Sequence, residues 1–597
     1  MTASDTIRAR LEAVRAHMRA RALDTLIVPR ADEYLGEYIP PHNERLRWIS
    51  GFTGSAGIVV VLPGAAAIFV DGRYTVQVRQ QVAAELFEFR HLVDEPHAQW
   101  LATRLERGAR VGYDPRMHTL AWQKKTTDTL ARRGIELVAL EQNLVDLCWH
   151  DRPQAARHPA ILMEQRHTGR SSADKRREIG AAIAAQGADA ALVFAADSVA
   201  WLLNIRGSDV PHLPLVLGHA LLYADGRLSF FTDPLKFPAG WSAHTGEGVE
   251  LLAESAADAA FRTLAGKRVL ADPDTANAWC QLRLAAHGAE LIAAPDPVLL
   301  PKACKNGAEI AGMRAAHVRD AVAEIRFLAW LDAEVAAGRL HDEATLCERL
   351  YAFRAADPLL KDLSFDTISA AGANAAMCHY RHSDTDPGRL VMNGVYLVDS
   401  GAQYLDGTTD ITRTVAIGDA GEEVRRMSTL VLKGHIALDR ARFPRGTTGT
   451  QLDVLARQFL WQAGFDYDHG TGHGVGSFLS VHEGPQRIGK ACSTAELGPG
   501  MVVSNEPGYY KAGCYGIRHE NLVLVRELAM EPGAERAMYG FEALTLVPFD
   551  LRLIEPALMT AGEIAWLNAY HRRVRETIGP LLDDADRAWL ENATRPL

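Results

Sequence analysis

Residues 395–414 read VYLVDSGAQYLDGTTDITRT. The apolar run Val395–Val398 predicts a buried strand that ends at Asp399. A second strand is predicted to follow, and its alternation places Asp410 on one face together with the neighbouring threonines. Burying a carboxylate is costly unless a cation or hydrogen-bond donors compensate its charge. Two acids on neighbouring strands therefore predict a bound cation, although a lone Asp after a strand is more often a turn-former.

Three further residues extend this pattern toward the C-terminus. His473 lies in HGTGHGVG, where the glycines argue against a helix and favour a turn that can approach a ligand closely. Glu506 follows the apolar run Met501–Asn505, at the point where a strand is predicted to enter a turn. Glu520 lies within a predicted strand, on the same face as Arg518, whereas His519 points the opposite way.

The set contains four carboxylates and one imidazole, and it predicts a site for two metal ions. Four carboxylates carry a charge of about −4, which two divalent cations and a bridging hydroxide balance better than one ion does. Oxygen-rich donors with one nitrogen suit manganese, with cobalt and zinc as alternatives. The five predicted ligands are Asp399, Asp410, His473, Glu506 and Glu520.

The composition limits the class of protein. A chain of 597 residues is too long for one ordinary core, so two to four domains are expected. The formal net charge of -10 argues against nucleic acid as a partner. The first twenty residues form a charged amphipathic pattern, and no apolar run reaches membrane-spanning length. The seven cysteines form no CxxC pair, so we expect a cytoplasmic protein without membrane association.

The N-terminal half contains a diverged repeat. The stretch RWISGFTGS at residues 47–55 is echoed by AWLLNIRGS at residues 200–208, and a DGR turn follows each at nearly the same distance. A charged helix and a short apolar strand precede each copy. This alternation predicts two successive α/β domains. The predicted helices are Ile7–Arg21 and Ala173–Ala185, and the predicted strands are Thr25–Val28 and Ala190–Phe194.

Polar, proline-containing segments give the predicted boundaries. One segment covers residues 151–172, and the other covers residues 295–307. In the second segment Asn306 is predicted to cap a long helix, Ala308–Val335. We therefore predict domains at residues 1–155, 156–303 and 304–597.

The motifs VYLVDSGAQYLDGTTDITRT, HGTGHGVGSFLSVHEGP, NEPGYY and GIRHENLVLV closely resemble the pita-bread metallopeptidases, the creatinase/methionine aminopeptidase-like family. Among these, the chain is most similar to the Xaa-Pro aminopeptidases of the long, three-domain type. SGFTGSAG and VDGRY in the first domain extend the likeness to nearly the whole chain. The resemblance implies an α/β (α+β) fold. Two creatinase-N-terminal-like domains would precede a pita-bread catalytic domain with a C-terminal extension.

The resemblance also implies roles for individual residues. The family's two ions are bridged by the acids that match Asp410 and Glu520, while Asp399 completes one ion and His473 and Glu506 complete the other. The histidines that match His379, His469 and His482 belong to the substrate site, and Arg518 and Tyr510 match hydrogen-bonding groups beside the metals. His519 departs from the family, which often has an aliphatic residue there.

The function implied is removal of the N-terminal residue from peptides with proline second, by attack of a hydroxide that bridges the two ions. Glu506 is then the expected proton shuttle, and His379 and His482 are expected to stabilise the intermediate. A homodimer through the catalytic domain is also implied. Two alternatives stay open: a prolidase that cleaves only Xaa-Pro dipeptides, and a pita-bread protein that binds peptides without cleaving them.

Overall fold

The computed structural model describes residues 3–383 and 385–597, which form two compact units. The first unit comprises Met1–Met163 and Arg170–Leu299, and the second comprises Glu164–Gly169 and Leu300–Leu597. In the part of the chain that the structure describes, no helix combines the length and the apolar character needed to cross a membrane.

The first unit contains two six-stranded sheets with the same topology. If the strands of each sheet are numbered in chain order, each sheet has the spatial order fourth, third, second, first, fifth and sixth. The first three strands pair antiparallel, and the outer strands join in parallel. The first sheet contains Thr25–Pro29, Ile58–Val61, Ala66–Val70, Glu88–His91, Arg110–Tyr113 and Glu136–Ala139; the second contains Ala190–Val193, His219–Tyr223, Leu228–Thr232, Val249–Ala253, Arg268–Ala271 and Glu290–Ala293.

Helices cover these sheets, which explains their apolar central strands. Val59, Val60 and Val61 are all buried although they alternate between the two faces, as expected for a sheet covered on both sides. A two-stranded pair, Ile161–Leu162 with Ile205–Arg206, lies beside them. The helices of this unit are Ala3–Ala20, Arg45–Ser50, Gln77–Gln81, His97–Arg104, Leu120–Ala131, Ser172–Ala185, Ala196–Leu203, Trp241–Thr245, Ala257–Arg262 and Ala278–Ala286.

The shared topology confirms two successive α/β domains, but the predicted correspondence between their DGR turns is wrong. Trp48 and Trp201 each lie on the helix before the second strand of their sheet. The DGR turns are not equivalent, because Asp71 follows the third strand whereas Asp225 lies in the hairpin before it. Both aspartates accept the backbone N–H of the residue two positions on. The same local turn therefore arose at two different places.

The second unit packs helices against several small sheets. Its largest sheet has six strands, and two three-stranded sheets and a hairpin complete it. In sheet order the six are Arg442–Pro444, Met538–Ala543, Asn521–Glu527, Val502–Asn505, Gly472–Gly474 and Glu483–Ile488; the others are Leu360–Leu363, Ala402–Tyr404 and Gly407–Thr408, then Ile368–Ala371, Gly394–Ser400 and Ile411–Ile417, and the hairpin Gly508–Lys511 with Tyr515–Arg518.

Long helices form the core of the second unit together with the strands. The first of them is capped by Asn306, whose side chain accepts the N–H of Glu309 while Glu309 accepts the N–H of Asn306. This confirms the predicted cap, which stabilises a helix by about 1 kcal/mol. Leu328, Leu432 and Val523 meet in the core. The helices are Gln165–Thr168, Leu299–Ala303, Gly307–Ala336, Glu343–Arg354, Glu422–Asp439, Gly449–Gln462, Ala561–Ile578 and Asp584–Ala593.

Candidate metal centre

Asp399 and Asp410 come from one antiparallel strand pair. Gly394–Ser400 pairs with Ile411–Ile417, and Asp399 lies directly opposite Thr412. Asp410 lies just before the second strand rather than within it. The predicted continuous strand breaks there because Thr409 donates its hydroxyl to Asp320 and its N–H to Ala402. Both aspartates are buried.

Glu506 and Glu520 come together because their strands are antiparallel neighbours. Asn505 pairs with Asn521, so Glu506 directly follows one member of the pair and Glu520 directly precedes the other. The N–H of Glu520 donates to the carbonyl of Thr412, and the hydroxyl of Thr412 donates to the Glu520 carboxylate at 2.7 Å. These bonds connect the two acids to the strand pair that carries Asp399 and Asp410.

His473 lies in a three-residue strand, Gly472–Gly474, and not in a helix. Its Nδ1 lies 2.9 Å from the carbonyl of Gly474, so with Nδ1 protonated its Nε2 is left to face the acids. Nε2 lies 3.4 Å from Asp410 Oδ2 and 3.6 Å from Glu506 Oε1. A Cβ on Gly472 would lie 2.0 Å from the carbonyl oxygen of Ser504, so glycine is needed for this close approach of backbones.

The result is one buried cluster of donor atoms. Asp410, His473 and Glu520 each offer an atom within 4.8 Å of the other two, a spacing that suits one metal ion. Asp399 and Glu506 border this cluster: Glu506 lies against His473, and Asp399 is paired with Arg518. The structure therefore brings all five residues predicted from the sequence into one neighbourhood.

The protein compensates the negative charge of this cluster only in part, through the ion pair between Arg518 and Asp399. Burial, with the nearby charge of Asp410, raises the pKa of Asp399 to about 7 even though Arg518 opposes the shift. Burial and the neighbouring acids also raise the pKa of Glu506, and they raise the pKa of Glu520 well above its ordinary value. Asp399 Oδ1 is buried and accepts no hydrogen bond from the described residues. Because the donors are carboxylate oxygens and one imidazole nitrogen, the site fits divalent metal ions.

A basic side chain and a tyrosine line the cluster. Arg518 donates to Asp399, to the hydroxyl of Tyr510 at 2.7 Å and to the hydroxyl of Thr412 at 3.0 Å. The Tyr510 hydroxyl lies 2.8 Å from Nε2 of His469. Burial, together with the charge of Arg518, lowers the pKa of His469 to about 3, so this imidazole stays neutral.

The remaining predicted residues lie beside the cluster. The His482 ring packs edge-on against His473 with centroids 4.3 Å apart. His379 follows the short helical turn Gly372–Ala376 and is half-buried. His519 faces away from the cluster, as predicted, with Nε2 2.8 Å from the hydroxyl of Ser428. The predicted continuous strand is wrong, however, because His519 and Glu520 lie between the strands Tyr515–Arg518 and Asn521–Glu527 of two different sheets.

Sequence reasoning missed the residues that hold the acids in place. Ser504 donates to Glu506 at 3.1 Å and accepts the N–H of His473 at 3.0 Å. The alternation of the strand does place Ser504 and Glu506 on one face, so this signal was present. A buried network behind Asp399 and Asp410, centred on Arg354, had no comparable signal because its members are far apart in sequence.

Comparison with known proteins places this site in a family. Residues 311–527 match metallopeptidase family M24, and residues 537–597 match the C-terminal region of that peptidase family. Residues 10–147 and 151–309 each match a creatinase/prolidase N-terminal domain. These matches confirm the fold class expected from the motifs.

Whole-chain relatives agree with the family match. Probable Xaa-Pro aminopeptidase P proteins of Botryotinia fuckeliana and Colletotrichum graminicola are each 39% identical over 98% of this chain, which covers 92% and 99% of their lengths. The X-prolyl aminopeptidase structure from Caenorhabditis elegans superimposes with a TM-score of 0.94 at 34% identity, covering 99% of this chain and 100% of that one. The Xaa-Pro dipeptidase of Bacillus anthracis, at 24% identity and a TM-score of 0.50, covers only 64% of this chain and shares the fold alone. This chain belongs to metallopeptidase family M24.

Proposed function

We propose that this protein is an Xaa-Pro aminopeptidase that removes the N-terminal residue from peptides with proline in second position. The observation that carries the proposal is the buried cluster in which four carboxylates and an imidazole converge, where Arg518 balances only part of the negative charge. Relatives matched end to end are described as probable Xaa-Pro aminopeptidases. The C. elegans relative is described as a cytosolic enzyme with a di-nuclear active site, which supports two metal ions here.

The five residues Asp399, Asp410, His473, Glu506 and Glu520 would hold two divalent ions. When bound, such ions supply Lewis acidity that activates water and polarises a carbonyl. Manganese fits the donor set, with cobalt and zinc as alternatives. Metal analysis of purified protein tests this proposal: close to two ions per chain supports it, and fewer than one, with no activity after manganese is added, favours a binding protein without catalysis.

The protein's own residues supply the proton transfers and the positioning. Glu506 Oε1 accepts a hydrogen bond from Ser504 and lies 3.6 Å from His473 Nε2, whereas Oε2 lies 3.9 Å from His469 Nδ1. Oε2 is therefore the oxygen that would carry a proton to the departing proline nitrogen. His482 packs against His473, and His379 lies close enough to His469 for their charges to interact, so both would donate to the developing oxyanion. Arg518 and Tyr510 fix Asp399 and His469 in place through direct hydrogen bonds.

Substitution of Glu506 tests the catalytic assignment. Glu506→Gln keeps the size of the side chain but cannot shuttle a proton, so turnover of Arg-Pro-Pro should fall by a factor of about 10² to 10⁴. Glu348→Gln, at an exposed position of the same unit, is the matched control and should behave as wild type. Near-normal turnover by Glu506→Gln contradicts the catalytic assignment. Near-normal turnover by Asp410→Asn contradicts it equally.

The prolidase alternative predicts a different substrate range. A prolidase cleaves Gly-Pro and leaves Arg-Pro-Pro intact, whereas we expect cleavage of Arg-Pro-Pro at the first bond. The chain extends well beyond the dipeptidase fold that it shares, which favours the aminopeptidase. Exclusive cleavage of dipeptides in this comparison would overturn the proposal.

The assembly, the location and the domain limits stay predictions. The resemblance supports a homodimer through the catalytic domain, and the relative described as cytosolic supports a cytoplasmic location. Light scattering on the purified chain tests the dimer, because a monomer at all concentrations contradicts it. Limited proteolysis tests the limit at residue 155, which is exposed and lies outside any helix or strand, so cleavage there should release stable fragments. The limit at residue 303 lies at the buried end of the helix Leu299–Ala303, where cleavage should be slow.

A further inference from the structure

A cavity of about 600 Å³ lies within the first unit, and its lining comes from both α/β domains. This volume is in the range of about 300–1,000 Å³ typical of small-molecule sites. All of its lining residues belong to the first unit, whereas the five candidate metal ligands belong to the second. None of the lining residues is among those proposed for the peptidase reaction, so the cavity is a distinct candidate site.

A buried ion pair borders this cavity and is incompletely satisfied. Lys236 Nζ lies 2.7 Å from Asp209 Oδ2, and the two side chains are 9% and 4% exposed. Asp209 Oδ2 also accepts the N–H of Leu217, but Oδ1 is buried and accepts no hydrogen bond from the described residues. An ammonium group has three N–H donors, and Lys236 uses one of them in its bond to Asp209. A buried pair is favourable only when its remaining donors and acceptors are satisfied.

The wall of the cavity offers a second cation and an aromatic surface. The Arg116 guanidinium lies over the Trp279 ring at 4.4 Å, and it forms no ion pair with a described carboxylate. Tyr34 lines another part of the wall, close to Glu254. A guanidinium stacked on an indole is held in a fixed plane, which suits recognition of a carboxylate by two parallel hydrogen bonds.

The charges around the cavity are mixed. Five acidic and four basic side chains line it, excluding the histidines. This near balance fits neither a phosphate group, which needs an excess of positive charge, nor a polyamine, which needs an excess of negative charge. The unused acceptor on Asp209 and the unused donors on Lys236 and Arg116 instead match a molecule that carries both an ammonium and a carboxylate.

We propose that this cavity binds a small zwitterion of the amino-acid class, either a free amino acid or a short peptide. Its ammonium group donates to Asp209, and its carboxylate accepts from Lys236 and from Arg116 on Trp279. Its side chain packs against Tyr34 or Trp279, which line different parts of the wall.

Calorimetric titration of the full-length protein tests the proposal. The probes are the individual proteinogenic L-amino acids and the tripeptide Ala-Ala-Ala, which separate the two members of the class. At least one probe should bind saturably with one site per chain. Its N-acetyl and C-terminal amide forms should each bind at least about tenfold more weakly, because each lacks one of the two charges. Absence of saturable binding by every probe, or equal binding of the capped forms, overturns the proposal.

Variants identify where the probe binds. Lys236→Met and Arg116→Met should each weaken binding by about tenfold or more, while the exposed controls Lys267→Met and Arg132→Met should not. Arg116 lies outside the buried ion pair, so its variant stays informative if Lys236→Met fails to fold. Binding that is unchanged in Arg116→Met overturns the proposal.

Two further experiments test whether the cavity prefers a different ligand and whether the probe binds at the candidate metal centre instead. Inorganic phosphate and spermidine should not compete with the probe, and tight binding of either one overturns the zwitterion. The probe should bind Asp410→Asn as well as it binds wild type, because Asp410 belongs to the candidate metal centre and not to this cavity. Loss of binding in Asp410→Asn alone assigns the probe to the metal centre and contradicts the proposal.

Discussion

At the scale of single residues, the candidate metal centre depends on side chains that are not themselves predicted ligands. Thr412 is fully buried; it donates to Glu520 at 2.7 Å and accepts from Arg518 at 3.0 Å. It therefore orients an acid and an arginine with one hydroxyl. Outer groups of this kind orient the ligands of a metal and tune its affinity.

Replacing Thr412 by valine should weaken metal binding without unfolding the protein. Valine has the same shape but cannot hydrogen-bond, so Glu520 loses its donor and its orientation. We expect the affinity for Mn²⁺ to fall by a factor of about 10 to 100, measured by competition with a chelator. Thr129→Val, at a half-buried helical position far from the cluster in sequence, is the control. Wild-type affinity in the Thr412 variant contradicts this role.

Glu483 shows a similar arrangement one residue from His482. Its carboxylate is completely buried and lies 2.8 Å from Lys305 Nζ and 3.6 Å from Lys302 Nζ. The two lysines come from the segment that precedes the long helix, so the chain entering the second unit fixes the strand that begins beside His482. Because a buried carboxylate without its cation is costly, this contact constrains the position of His482.

At the scale of elements, two helices stabilise the strand ends that carry Asp399 and Asp410. Arg354, at the end of Glu343–Arg354, donates to Asp320 at 2.8 Å and to Glu324 at 2.7 Å on the Gly307–Ala336 helix. Ser400 donates to Glu324, and Thr409 donates to Asp320. Each of these two donors is adjacent in sequence to one of the buried aspartates. The helices therefore determine where the two acids lie.

Replacing Arg354 by methionine should destabilise the second unit strongly. Although burial opposes ionisation, Arg354 lowers the pKa of Asp320, so its loss leaves a buried charge without a partner. We expect the free energy of unfolding to fall by about 3–5 kcal/mol in chemical denaturation. Glu348→Gln, on an exposed face of the same helix, should change it by less than about 0.5 kcal/mol. Adding Asp320→Asn and Glu324→Gln to Arg354→Met should recover part of the loss, and no recovery argues against the charge explanation.

The limits of prediction from the sequence are also clearest at this scale. The cap at Asn306 and the helices beginning each α/β domain follow from local patterns, and the structure confirms them to within a few residues. The Arg354 network could not be predicted, because acids four residues apart on a helix resemble a solvated face and their partner lies in another helix. The break in the strand at Thr409 arises from the same network. The prediction that the two DGR turns are equivalent is wrong because a local turn motif does not specify where in a sheet topology it occurs.

At the scale of the whole molecule, the internal repeat predicts the two N-terminal domains, and motifs that are far apart in sequence predict the candidate metal centre. The two N-terminal sheets share one strand order although few residues match between them, because the topology depends on the order of apolar strands and amphipathic helices more than on residue identities. The five candidate ligands are spread over Asp399 to Glu520 and meet because strand pairing fixes their register. The cavity in the first unit had no such signal, since its lining comes from many short segments.

Buried neutral histidines make the stability of the molecule depend on pH. His571 is fully buried, and its Nε2 accepts the N–H of Phe549 at 3.1 Å. Burial, with the charges of Arg413 and Arg575, lowers its pKa to about 3. In the unfolded chain a histidine has a pKa of about 6.5, so below that pH the unfolded state binds a proton that the folded state does not. The contribution of His571 to stability is therefore present above about pH 6.5 and is lost as the pH falls.

Replacing His571 by glutamine should remove this part of the pH dependence. Glutamine can still accept from Phe549 but does not titrate, so the variant should be less stable than wild type near neutral pH. The difference should shrink as the pH is lowered, by up to about 1.4 kcal/mol per pH unit between about pH 6.5 and pH 4. Thermal midpoints measured at one heating rate over this range check it, with the exposed His150→Gln as control. If the difference between His571→Gln and wild type stays constant with pH, His571 takes up its proton at the same pH in the folded and unfolded states. Its hydrogen bond with Phe549 must then be reassigned.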